Sequence, residues 1–129
     1  MSSISCHCGY LIVDQADNLP YKGRILRDQA ADRFFDRTSN DITTFVEAIL
    51  NGKRQEWLID HFTDVYPADT DTAGIIHDVI AGYFILKESL TMYQCEQCGR
   101  IWIQEQPRSD IFRSFVPDDE WKRRLAVTN

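Results

Sequence analysis

The alternation of apolar and polar positions divides the chain into strand-like ends and a helix-like middle. Near the start, Tyr10-Leu11-Ile12-Val13 is a short apolar run rich in β-branched and aromatic residues, and it predicts a strand. Thr91-Met92-Tyr93, Ile101-Trp102-Ile103 and Ile111-Phe112-Arg113-Ser114-Phe115-Val116 predict three more in the C-terminal part. Between them the period changes to three and four. Ala30 to Asp36, through Phe34 and Phe35, predicts a short helix. A second, capped by Asn40 or Asp41, carries Phe45, Val46, Ile49 and Leu50 as one apolar stripe and stops at Asn51-Gly52. A third covers Arg54 to Tyr66, with Trp57, Leu58, His61, Phe62 and Val65 inward. The next runs from a cap at Asp71 to Glu88, and Ile75, Ile76, Val79, Ile80, Tyr83 and Phe84 make it the most buried of the set. Pro117 opens a final helix, with Asp118-Asp119-Glu120 at its positive end and Lys122-Arg123-Arg124 at its negative end.

At 129 residues the chain is long enough for one domain with a real core. No apolar run approaches the roughly 20 residues of a membrane span, and the first residues lack the pattern of a secretory signal. The expectation is therefore a cytoplasmic protein. With 14 Lys and Arg against 20 Asp and Glu the formal charge is −6, which argues against a general grip on nucleic acid. Residues 1–29 and 95–129 are each neutral, and 30–94 hold the whole excess, eleven acids against five bases.

All four cysteines lie in two close pairs, Cys6-His7-Cys8-Gly9 and Cys95-Glu96-Gln97-Cys98-Gly99-Arg100, with 86 residues between Cys8 and Cys95. A glycine after the second cysteine tolerates the positive φ such a turn needs, and each turn aims two sulfurs at one centre. Cys6, Cys8, Cys95 and Cys98 thus predict one tetrahedral Zn²⁺ site. Two disulfides are the alternative; they need an oxidising compartment and a strained Cys6–Cys8 bridge. The first pair has one spacer residue where zinc turns carry two to four. His7 between the thiols can replace one as ligand, although four thiolates already close the shell. Arg100, Lys22 and Arg24 are candidates to offset the −2 of such a site.

Four thiolates leave no coordination position for water, so the expected zinc is structural. No deaminase His-x-Glu, nucleophile elbow, P-loop or dinucleotide motif is present. Asp69-Thr70-Asp71-Thr72-Ala73-Gly74 has the opening of a calcium loop, but Ala73 and Ile80 occupy ligand positions, and helix capping accounts for it better. The chain is expected not to be an enzyme. Glu56, Asp60 and Asp64, spaced by four on a predicted helix, form an acidic ladder whose like charges repel unless something opposes them. With Asp69, Asp71 and Asp78 they are the candidate contacts for a partner with a basic surface.

The two cysteine turns, together with Asp17-Asn18-Leu19-Pro20-Tyr21-Lys22, resemble small bacterial proteins of split zinc-ribbon type. The resemblance covers the two ends and implies an α+β fold in one domain. N- and C-terminal hairpins (1–29 and 90–129) share the zinc, and an acidic helical insertion (30–89) packs beside them. In size and charge the chain is similar to immunity proteins, which bind and neutralise a cognate bacterial toxin. The competing expectation is a transcription-associated zinc ribbon docking on nucleic acid or polymerase through Arg100, Trp102, Tyr93 and the Tyr21-Lys22 turn.

Overall fold

A computed structural model of the protein describes residues 2–118. It is α+β, with three helices and two antiparallel sheets. The chain forms two units: its ends, up to Leu26 and from Ser89 onward, and the segment Arg27–Glu88. No helix among the described residues is long and apolar enough to cross a membrane.

In the first unit, β1 (Ser2–Ser5) pairs with β2 (Leu11–Asp14) as a two-stranded hairpin. A four-stranded sheet has the order β3 (Lys22–Ile25), β4 (Leu90–Gln94), β5 (Ile101–Gln104), β6 (Phe112–Phe115). Tyr93 lies opposite Trp102, and Trp102 opposite Ser114. Alternation along β5 buries Trp102 and Gln104, and on β2 it buries Ile12 while Leu11 stays exposed. The core of this unit is Cys6, Ile12, Tyr93, Cys95 and Trp102, with Phe112 and Tyr21 packed against it. Two strands were not expected from the sequence. Ser2–Ser5 is too polar to signal itself. Lys22–Ile25 follows directly on the Pro20-Tyr21 turn and is held by its register with β4.

The second unit is helical. Its first helix, α1 (Asp28–Leu50), is continuous for 23 residues, which corrects the expected break and cap at Asn40 or Asp41. Ala30, Phe34, Thr38 and Phe45 share one buried face along its length. Asp41 sits on that side with its carboxylate already engaged by the Tyr83 hydroxyl and by His61. The expected stop is present: Gly52 has φ 70°, and the Lys53 amide returns to the Ala48 carbonyl at 2.7 Å. The expected Phe45–Val46–Ile49–Leu50 stripe is not buried as a unit. Phe45 is buried, whereas Val46, Ile49 and Leu50 are exposed.

The next helix, α2 (Arg54–His61), ends five residues sooner than the pattern predicts. Phe62 leaves the helix and stacks on Tyr66 at 4.2 Å, so Val65, expected inside, is exposed. Asp71 caps α3 (Thr72–Tyr83), accepting the Gly74 amide at 2.7 Å. Ile75 and Val79 are buried but Ile80 is exposed. The chain then widens into a π turn, Phe84–Glu88. This turn carries Glu88 into a buried position, where Arg33 and Arg37 reach it at 3.2 and 3.4 Å. Phe45, Leu58 and Ile75 form the core. The final helix expected after Pro117 lies outside the described residues.

Candidate metal centre

Each cysteine pair occupies the tip of a hairpin. The β1–β2 ladder closes at Ser5 opposite Leu11, leaving residues 6–10; the β4–β5 ladder closes at Gln94 opposite Ile101, leaving 95–100. Both tips use one scheme. The amide of the first cysteine donates across the tip, Cys6 to the Tyr10 carbonyl and Cys95 to the Arg100 carbonyl, both at 2.8 Å. The glycine amide donates back to that cysteine's carbonyl, at 2.9 Å in each case. Gly9 and Gly99 adopt φ 94° and 81°, the left-handed region that the sequence pattern asked of them. The single spacer in the first pair is thereby accounted for: its tip is one residue shorter, and the chain still turns on the same bonds.

The result is a cluster in which the sulfurs of Cys6, Cys8, Cys95 and Cys98 lie within 4.8 Å of one another. Cys6 and Cys98 are 3.6 Å apart, as are Cys8 and Cys95. A tetrahedral ion with metal–sulfur bonds of about 2.3 Å sets its sulfurs about 3.8 Å apart. A disulfide needs about 2.05 Å, and all four cysteines are free. The donor set therefore fits a metal ion. His7 is not part of the cluster; it is exposed and meets the Trp102 ring edge-on at 5.1 Å.

Burial sets the direction for the two sulfurs of the second turn. It pushes the Cys95 thiol up to about 12 and raises Cys98 as well. Burial is the largest single influence on Cys6 and also acts upward, but the Cys8 backbone amide, the Trp102 indole and the Cys98 and Cys95 sulfurs together outweigh it and hold that thiol at about 7. The indole N–H makes no hydrogen bond of ordinary geometry, so its influence on Cys6 is that of a polar edge held nearby. Collecting thiolates where burial opposes their charge is favourable only with a cation among them.

The bases expected to offset that charge are committed elsewhere. Lys22 pairs with Asp14 at 2.6 Å, Arg24 donates to Ser89 and Thr91, and Arg100 donates to Ser114. Gln97, which sequence reasoning passed over, donates from Nε2 to Cys8 Sγ at 3.3 Å and contacts the Cys8 carbonyl at 3.4 Å. Its position inside the Cys95–Cys98 turn was the available signal.

The acidic candidates are not gathered as one ladder. Glu56 and Asp60 are exposed on α2, but Asp64 lies beyond its end. Asp69 is exposed before α3, Asp71 is its cap, and Asp78 accepts the Tyr66 hydroxyl at 2.6 Å. Trp102 and Tyr93, candidates for stacking on bases, are buried in the sheet core.

Comparison with curated proteins and with solved structures gave no match. A family match does span all of the described chain, both hairpin tips and all three helices included. With residues 2–119 matched, the chain belongs to the family described as a domain of unknown function, DUF8617.

Proposed function

We propose that the protein is a non-enzymatic, zinc-stapled binding domain: a split zinc ribbon whose helical unit recognises a protein partner with a basic surface. In its specific form the reading is an immunity protein that neutralises a cognate toxin acting in the cytoplasm. The observation that carries it is the four-sulfur cluster. Thiolates select a soft, tetrahedral ion, for which zinc is the common choice. Four of them fill its shell, so the ion would hold the two hairpin tips together and take no substrate.

Charge supports the partner's chemistry. The segment Arg27–Glu88 contains twelve acids and six bases, which accounts for the whole −6 of the chain, and such a field steers a basic protein onto it. The transcription-associated reading is disfavoured by the burial of Trp102 and Tyr93. The toxin assignment rests on likeness of size and charge, and its test is direct. The neighbouring gene's product should arrest growth alone and not when this chain is present; a harmless neighbour contradicts it. For the complex, Glu56→Lys with Asp60→Lys should weaken affinity about tenfold or more, and undiminished binding would remove α2 from the interface.

A further inference from the structure

The longest helix carries, beside its buried face, a second apolar stripe in which Ile42 is half-buried and the other residues are exposed. Phe35, Ile42, Val46 and Ile49 on α1 are separated by seven, four and three residues, the spacing with which one helix packs against another. Phe35, Val46 and Ile49 are exposed at 61%, 45% and 40%, and Leu50, beside them, at 79%. At about 1.5 Å per residue the stripe from Phe35 to Leu50 is about 22 Å long. Its centre lies roughly 70° around the helix from that of the buried face through Phe34, Thr38 and Phe45, with Ile49 at the edge the two share.

The charges of α1 are sorted around this stripe. Arg33 and Arg37 lie on the far side of the buried face, and both are tied to Glu88. Asp32, Asp36 and Glu47 lie along the outer rim, all exposed, and none has an ion-pair partner among the described residues. A second copy of the chain would bring the same acids against them. An anionic membrane surface would be repelled likewise.

We infer that this face of α1 is a docking surface for a basic amphipathic helix of a protein partner, its apolar residues on Phe35–Leu50 and its Lys or Arg residues against the Asp32–Glu47 rim. The inference rests on the basic-partner reading above and moves its centre from α2 to α1.

The test uses the full chain with its metal bound and two synthetic peptides of the same Leu and Lys composition. In one the leucines form a stripe; in the other their order is scrambled. The striped peptide should bind at least about tenfold more tightly than the scrambled one. Val46→Asp with Leu50→Asp should weaken it by a similar factor. Asp32→Lys with Asp36→Lys should do the same and flatten the salt dependence. All four side chains are exposed, and an unchanged thermal melt for each variant shows that the fold is kept. Equal affinity for both peptides, no binding of either, or striped-peptide binding indifferent to the α1 changes overturns the assignment. Binding that is lost only in Glu56→Lys with Asp60→Lys also overturns it, while leaving the basic-partner reading intact. A dimer in sedimentation that Val46→Asp with Leu50→Asp dissolves would give the face to a second copy and overturn it too.

Discussion

Gly9 has φ 94°, and a Cβ built on it would meet nothing within 4 Å. The cost of Gly9→Ala is therefore conformational alone, about 1–2 kcal/mol, and it should appear as a lower melting temperature and faster loss of metal to a chelator. Gln97→Ala removes the N–H that reaches the Cys8 sulfur and should weaken metal retention about tenfold or more, read by competition with a chelator. Asp14 gives a pH dependence. Burial works to raise its pKa, but hydrogen bonds from Lys22 and Tyr93 outweigh that, and the net direction is below 3.8. A carboxylate depressed in the folded state stabilises fully above its unfolded pKa and loses that contribution as pH falls through the folded one. Asp14→Asn should therefore be less stable than wild type at neutral pH, and the gap should narrow below about pH 4. A gap that stays constant into acid would contradict this. The cysteines and their glycines were legible because each turn is a local pattern. The Gln97–Cys8 contact was not, because it spans 89 positions.

Among the elements, α1 shows how local signals mislead. Asn40 and Asp41 have the chemistry of a cap, yet Asp41 serves Tyr83 and His61, 42 and 20 positions away. The capping signals at Asp71 and Asn51-Gly52 held because no distant group competes for them. Gly74 belongs to the same cap: a Cβ there would lie 2.9 Å from the Asp71 carboxylate oxygen. The π turn after α3 was invisible to periodicity, and its consequence is the buried Glu88. Arg33 and Arg37 are half exposed, so water can replace Glu88 for them, whereas the carboxylate has no such recourse. Removing both arginines should cost about 3 kcal/mol or more, and Glu88→Gln only about 1 kcal/mol. Chemical denaturation of the two variants checks the order, and a costlier Glu88→Gln would contradict it.

Over the whole molecule, the sequence made visible the neutral ends, the acidic middle and the convergence of thiols across 86 intervening residues. Which exposed acids stay unpaired was decided by tertiary contacts and could not be read from spacing. An ion held by these four sulfurs would close a loop on the order of 90 residues, a substantial constraint on the chain. The core of the helical unit, Phe45, Leu58 and Ile75, contains none of its ligands. Chelation should therefore abolish the near-ultraviolet signal of Trp102 and Tyr93 while the far-ultraviolet helical signal persists; simultaneous loss of both would show that the helices depend on the ion.

In the proposed structure two hairpin tips share one ion through four sulfurs. Metal analysis of protein purified under reducing conditions, joined to X-ray absorption at the zinc edge, measures it directly. One zinc per chain with four sulfur neighbours at about 2.3 Å is the expected result. Metal-free protein with four titratable thiols, or protein with its cysteines joined in disulfides, would contradict it.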